Sequence, residues 1–285
     1  MYQVDSYFEI GSSHETLGIP CQDYAVSAVN EQDYFLMIAD GCSSGRNTDL
    51  GSRVFCHYLL DLFENKQFFS FIEQPKFDKE LWQAIWTKKV TGDINDYLVT
   101  TLFAFSKNND HYVYLMGDGV FAYTQGKYLV IVNTEYNLNT PYYLAYKYTG
   151  MNTAYMNHFM KESWIKKTIS ITYDLEKELI VDSVNVIETK ESFDKFQIFK
   201  LNDIQQLTLF SDGVTQSNLY DSEKTIELIH KLLEFKTTTG TFVKRTCIKG
   251  IKKISKELQS ENPLEMYPDK IAFIDDFSMA TVLIP

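Results

Sequence analysis

The chain has 285 residues, 45% of them hydrophobic, and its 38 acidic against 27 basic side chains leave a formal net charge of −11. That surplus of acid works against a nucleic-acid backbone or an anionic membrane surface as the main partner, because either needs a net positive face. The length admits about two domains or one sheet-rich domain. No internal repeat is visible, and six prolines and 13 glycines are too dispersed to mark a linker, so one domain over residues 1–285 is expected. Met1-Tyr2-Gln3-Val4-Asp5 has neither the basic start nor the apolar stretch of a secretory signal, so export is not expected. Runs such as Tyr34 to Ala39 fall far short of the roughly 20 apolar residues that cross a bilayer. Cys21, Cys42, Cys56 and Cys247 show no Cys-x-x-Cys spacing, and the five histidines form no metal-finger pattern. Reduced thiols in a soluble, cytoplasmic protein are the expectation.

In chain order, the first strand candidates are Gln3 to Ile10, Tyr24 to Val29 and Tyr34 to Asp40, rich in aromatic and β-branched residues. From about Asp49 to Phe71, Leu50, Val54, Tyr58, Leu59 and Phe63 recur at helical spacing, and Leu81, Ile85 and Val90 begin a second helix. Val99 to Phe105, Tyr112 to Met116, Val120 to Tyr123 and Tyr128 to Val132 then read as an antiparallel meander, broken at Asn108-Asn109-Asp110 and Gln125-Gly126. An aromatic segment without clear periodicity, Asn133 to Trp164, follows. Further strands are expected at Ile169 to Tyr173, Leu179 to Val186, Phe196 to Leu201 and Gln206 to Phe210. Two helices come next, one with Ile226, Ile229, Leu232 and Leu233 on its apolar face, the other with Val243, Cys247, Ile251, Ile254 and Leu258, before a last strand around Ile271 to Ile284. Strands and helices arrive in blocks, which favours α+β layers over a doubly wound sheet.

The residues that carry chemistry sit where strands end. Phe35 to Gly41, Tyr114 to Gly119 and Leu207 to Gly213 each run from an apolar strand into Asp-Gly, at Asp40, Asp118 and Asp212, and Asp275-Asp276 lies in the apolar last strand. A carboxylate at the mouth of a buried strand is costly unless a cation or donor compensates it. Several such carboxylates with no basic neighbour in sequence point to a hard cation such as magnesium or manganese. Asp-Gly is also a common turn dipeptide, and a turn accounts for any one instance equally well.

A resemblance separates these readings. Gly11-Ser12-Ser13-His14, Gly18-Ile19-Pro20-Cys21-Gln22-Asp23, Ala39 to Gly45 and Asp49-Leu50-Gly51-Ser52 resemble the opening motifs of bacterial protein phosphatase 2C-like proteins of the metal-dependent PPM type. Thr100-Thr101-Leu102, Gly117-Asp118-Gly119, Ser211-Asp212-Gly213 and Asp275-Asp276-Phe277-Ser278 follow in the family's order, and only a variable segment around 133–200 lacks a motif. The resemblance implies an α+β fold, an αββα four-layer sandwich of two antiparallel sheets flanked by helix pairs. It also implies two Mn²⁺ or Mg²⁺ ions, with a possible third. Asp40, Asp212 and Asp275 would be the catalytic carboxylates: Asp40 bridging both ions, Asp212 and Asp275 completing the first ion's shell, and the Gly41 carbonyl reaching the second. Asp118, with Asp212, would offer the third-metal site, and Asp23 would hold metal-bound water from the outer shell. The implied reaction is hydrolysis of phosphoserine or phosphothreonine by a bridging water, without a phosphoenzyme. A phosphorylated protein would be the partner, opposite a serine/threonine kinase, with no role for nucleic acid or membrane.

Several positions depart from the family pattern. An arginine that binds substrate phosphate in many members is Gly18 here, which leaves His14, Arg46 and Arg53 as nearby candidates. Arg46 is favoured among them because a guanidinium can grip phosphate bidentately, against the reading of a solvated loop arginine. The acidic residue that precedes the first-motif aspartate is Gln22, and Cys42 stands where eukaryotic relatives have a proposed general-acid histidine. Gly18 and Gln22 therefore motivate a second reading, a catalytically weak phosphatase-like module that binds phosphoprotein. Gly41 to Arg46 lacks the spacing and the lysine of a P-loop, which argues against a nucleotidase of that kind. The basic run Lys244, Arg245, Lys249, Lys252, Lys253 and Lys256 reads as a solvated helix face. Tyr142, Tyr143, Tyr146 and Tyr148 read either as a substrate-facing flap or as packing against a sheet.

Overall fold

The computed structural model describes residues 1–159, 165–188, 194–216, 222–234, 243–244 and 273–285. The helix face at Cys247, Ile251, Ile254 and Leu258 and the basic run from Arg245 to Lys256 lie outside the described residues. Two antiparallel sheets form the centre. Strands β1 (Gln3–Glu9), β6 (Gly119–Gln125), β7 (Tyr128–Tyr136), β8 (Lys166–Asp174), β9 (Leu179–Glu188), β11 (Gln206–Phe210) and β12 (Phe277–Leu283) make a seven-stranded sheet in the order β1-β12-β11-β6-β7-β8-β9. The second sheet has five strands in the order β10-β5-β4-β3-β2, from β2 (Tyr24–Val29), β3 (Tyr34–Gly41), β4 (Val99–Lys107), β5 (Asp110–Met116) and β10 (Gln197–Leu201).

The uninterrupted apolar run of β3 is explained by burial on both faces. Tyr34, Leu36 and Ile38 point inward, where they meet Phe121, Val130, Leu207, Leu209 and Val282 of the facing sheet. The alternate residues Phe35, Met37 and Ala39 point outward and are covered by α2 (Thr48–Glu64), α3 (Phe68–Ile72) and α4 (Phe77–Thr87) through Phe55, Leu59, Phe63, Phe68, Leu81 and Ile85. The outer face of the seven-stranded sheet offers Val120, Ala122, Ile131 and Met279 to Ile226, Ile229, Leu232 and Leu233 of α7 (Ser222–Leu233). The layers thus run helix, sheet, sheet, helix, as the resemblance implies, in keeping with the α+β blocks of the sequence pattern. Each side chain layer follows from the period-two alternation of a strand against the helical period of its cover.

Three local differences from the sequence reading have physical causes. The expected helix over 49–71 is two helices, because the chain turns at Lys66, whose φ of 59° is left-handed. Val90 lies beyond the end of α4 and is exposed, so the second helix ends sooner than expected. The expected four-strand meander is divided between the sheets: β4 and β5 pair in one, β6 and β7 in the other. The change of sheet occurs at Gly117-Asp118-Gly119, where φ values of 100° and 134° at the two glycines are open to glycine and strained for other residues. Of the aromatic segment after β7, Leu144–Lys147 (α5) and Met151–Phe159 (α6) are helical, while 160–164 lie outside the described residues.

Candidate functional site

The strand register gathers the motif aspartates. In the five-stranded sheet, Asp40 at the end of β3 pairs with Thr100 at the start of β4, Ala39 pairs with Tyr24 just after Asp23, and Thr101 pairs with Met116, two residues before Asp118. In the other sheet, Phe210, two residues before Asp212, pairs with Val120 on one side and Met279 on the other, close behind Asp275. Strand ends of both sheets therefore meet at one end of the sandwich, and each contributes a carboxylate.

These carboxylates act on one another. Burial raises the proton affinity of Asp40 well above the ordinary carboxylate range, and the neighbouring Asp23, Asp212, Asp118 and Asp275 raise it further. Asp212 is raised in the same way, by burial first and then by Asp118, Asp275 and Asp23. Asp23 is pushed up to about 7 by burial, with the hydroxyls of Ser211 and Ser278 opposing the rise. Asp118 is pushed up to about 6, again by burial, against a hydrogen bond of 2.8 Å donated by the Thr100 hydroxyl. Asp23 and Asp118 are closed off from solvent, whereas Asp40, Asp212 and Asp275 keep partial exposure at the mouth although protein packs around them. The inner carboxylates line the floor and the outer three face the entrance.

A cation fits this donor chemistry. The donors are all oxygen, and both carboxylate oxygens of Asp23 are buried without a hydrogen bond of normal geometry, as is the hydroxyl of Thr101, next in sequence to Thr100. Burying such oxygens without compensation costs several kcal/mol on the order of magnitude of group desolvation. Among the described residues, no group of three His, Cys, Asp or Glu side chains closes to metal-holding geometry. Magnesium-type ions keep several waters and take one or two carboxylates each, so a loosely spaced set of this kind suits them better than a cage of protein ligands would.

Asp276, beside Asp275, ties the site together. It is buried and accepts hydrogen bonds from the backbone N–H groups of Gly11 (2.7 Å) and Gln22 (2.6 Å), and its Oδ2 lies 2.8 Å from His14 Nδ1. His14, one of the candidates for the substrate phosphate, is buried beside Asp276, with its Nε2 4.0 Å from Asp275. A Cβ on Gly213 would collide with the Asp276 carbonyl, so this close approach requires glycine. Arg46 is exposed and has no ion pair among the described residues, and Arg53 lies over the Tyr24 ring at 5.0 Å. Gln22 is buried and reaches the Gly45 carbonyl at 3.4 Å, which anchors the loop after Asp40. Gly18 caps the short helix α1 (Ser12–Leu17) with φ 67°, a conformation that an arginine would adopt only with strain. The Cys42 thiol lies 2.9 Å from the Ser44 hydroxyl.

Sequence reasoning did not single out Asp276, Thr100 or Tyr143 as individual side chains of the site. The Asp-Asp doublet was the available signal for Asp276; expected within the last strand, it instead lies just before β12, which begins at Phe277. Tyr143 is buried against the five-stranded sheet, and its hydroxyl lies beside Cys42 and in the field of Asp118 and Asp40. The aromatic segment consequently packs on the sheet and also borders the site.

A two-sheet sandwich with helices outside and clustered aspartates at one end is the architecture of metal-dependent phosphatases. The sequence model of protein phosphatase 2C matches residues 10–246, and the chain belongs to that family. Among solved structures, it is similar to a bacterial serine phosphatase bearing an R161K mutation (TM-score 0.54, 12% identity, covering 100% of this chain and 98% of that one). It is also similar to the S. agalactiae serine/threonine phosphatase (0.52, 13%, 100% and 100%) and to the serine/threonine phosphatase Stp1 from Staphylococcus aureus (0.50, 14%, 100% and 96%). At these identities the likeness shows the fold. No curated protein sequence matches the chain.

Proposed function

We propose that the protein is a metal-dependent phosphatase of phosphoserine and phosphothreonine in proteins, acting in the cytoplasm opposite a serine/threonine kinase. The observation that carries this reading is the convergence of Asp23, Asp40, Asp118, Asp212 and Asp275 at one end of the sandwich, with both Asp23 oxygens buried and without a hydrogen bond of normal geometry. Asp40, Asp212, Asp275 and the Gly41 carbonyl are the groups that would hold two Mn²⁺ or Mg²⁺ ions, with Asp118 and Asp212 holding a third. Bound divalent cations would lower the pKa of water and offset the charge of a phosphoryl group. Asp23, on the floor, would orient water through its carboxylate oxygens, and its raised proton affinity lets it take up a proton near neutral pH. Asp276 and His14 hold Asp275 and the Gly11 and Gln22 backbone in register, so that strand-end carboxylates from distant parts of the chain keep their spacing. The pairing of β1 with β12 supports reading residues 1–285 as one phosphatase domain.

The test is phosphate release from phosphoserine and phosphothreonine peptides during a Mn²⁺ titration, for the wild type beside Asp40→Asn and Asp212→Asn. Losing the carboxylates that would hold the cations predicts losses of about 10²-fold or more in kcat, together with weaker Mn²⁺ binding by calorimetry. Equal activity in all three proteins would remove the carboxylates from the reaction. The second reading, a phosphoprotein-binding module with little turnover, draws on Gly18, whose left-handed backbone leaves no arginine at the family's phosphate-binding position. Retention of phosphopeptide by folded, Mn²⁺-loaded protein without release of phosphate would favour it.

A further inference from the structure

Away from the carboxylates, a cleft of about 550 Å³ opens between the start of α4, the end of α5 and the approach to β10. Among the described residues, four lysines line it, Lys76, Lys79, Lys147 and Lys195, with Asp78 as the lining carboxylate. Lys147 is committed: its ammonium lies 2.8 Å from Asp78 and donates to the Asp194 carbonyl at 2.9 Å, so it joins α5 to α4 and to the chain entering β10. Lys76, Lys79 and Lys195 are exposed and make no ion pair among the described residues. Between the lysines lies an aromatic floor of Phe77, Tyr148 and Phe196, with the Phe77 and Phe196 rings 5.1 Å apart. In a chain with a net charge of −11, a concave surface with this sign is a local reversal.

We propose that this cleft docks an acidic, extended stretch of the protein substrate, a reading that rests on the phosphatase assignment above. Charge complementarity selects acidic side chains, while the aromatic floor takes up the apolar part of a peptide backbone and its aliphatic stems. Continuity with the site supplies the geometry. Tyr143 borders the carboxylates and Lys147, at the end of α5, borders the cleft. Four residues of helical rise separate them by about 6 Å, and side-chain reach extends the span to about 10–15 Å. An extended peptide at roughly 3.3 Å per residue crosses that distance in about three to five residues. Substrates would therefore carry aspartate or glutamate about three to five residues from the phosphorylated side chain. The overall acidity of the protein works against such a segment binding elsewhere on the described surface.

The experiment compares two phosphothreonine peptides, one with a Glu-rich stretch four residues from the phosphothreonine and one with that stretch neutral. Wild type and a Lys76→Gln/Lys79→Gln/Lys195→Gln variant are assayed with Mn²⁺, with p-nitrophenyl phosphate as a substrate too small to reach the cleft. The expected result is a kcat/KM for the acidic peptide about tenfold higher, carried by KM, abolished in the variant and in high salt, with p-nitrophenyl phosphate turnover unchanged. Equal kcat/KM for the two peptides in the wild type, or a preference that survives in the variant, overturns the proposal. Anisotropy of a fluorescent, unphosphorylated Glu-rich peptide gives an independent readout. Lysine-dependent binding of it supports the cleft even where no substrate is hydrolysed, an outcome that would sink the phosphatase reading alone. Equal competition by single-stranded RNA or by phosphatidylserine vesicles would show a non-selective basic patch and overturn the peptide assignment.

Discussion

Asp276 shows why one side chain at this site matters more for structure than its neighbours do for chemistry. It accepts from Gly11, Gln22 and His14, and truncation leaves those buried donors without partners. We expect Asp276→Ala to cost about 3 kcal/mol or more in urea denaturation with EDTA present, and Asp276→Asn to cost less, since an amide oxygen can still accept. A loss in Mn²⁺ affinity without a loss in stability would contradict this role. Aspartates 40, 118 and 212 were legible because each follows an apolar run and precedes glycine, a local signature. The partners of Asp276 were not, since they lie 254 to 265 positions away and no periodicity links them. The same separation hid the contact of His14, one of the candidates for the phosphate, whose Nδ1 lies 2.8 Å from Asp276 Oδ2.

Elements were legible wherever their periods were clean. The turn at Asn108-Asn109 is a case in point, for φ values of 54° and 67° between Lys107 and its partner Asp110 make a two-residue hairpin of the type that asparagine tolerates. Asn109→Gly should be neutral or slightly stabilising, and Asn109→Ala should cost about 1 kcal/mol, as chemical denaturation would reveal. Equal stability of the two variants would mean that the turn relaxes to another type. The passage from β5 to β6 was hidden for a different reason. Strands of both sheets share a period of two, so hydropathy does not record which sheet a strand joins. The glycines flanking Asp118 were the physical clue, since a chain that leaves one sheet for another needs backbone angles that ordinary residues avoid. The helix pattern in 49–71 failed at Lys66 because a single left-handed residue leaves the spacing of apolar side chains almost unchanged.

At the scale of the molecule, clustering the carboxylates couples stability to pH and to cations. The ordinary carboxylate value is 3.8, while Asp23 and Asp118 sit at about 7 and about 6 in the folded chain. Between those values the folded state binds more protons than the unfolded state, so metal-free stability falls as pH rises from about 4 to about 7. His111 and His230 act oppositely, because burial lowers their proton affinity and favours the fold as pH rises through their range. A cation that takes the place of the protons removes only the carboxylate part. The difference in Tm between Mn²⁺-loaded and EDTA-treated protein, from calorimetry at pH 5 to 8, should therefore widen with pH by about 3 °C or more, while the histidine contribution cancels. A difference that stays constant would separate the carboxylates from cation binding.

The position of β12 has a consequence for how the protein is made. It lies between β1 and β11, pairing Glu9 with Phe277 and Phe210 with Met279, so among the described residues β1 joins the rest of its sheet through β12. Gly11, whose N–H meets Asp276, waits for a partner 265 positions later. On a ribosome, the five-stranded sheet and its helices can pack as they emerge, but the end of the sandwich that gathers the aspartates stays open until β12 is released. Loop closure over that separation makes this docking a late, slow step. A nascent chain would carry four of the five carboxylates without the arrangement that gathers them, and that arrangement would form only once β12 has paired.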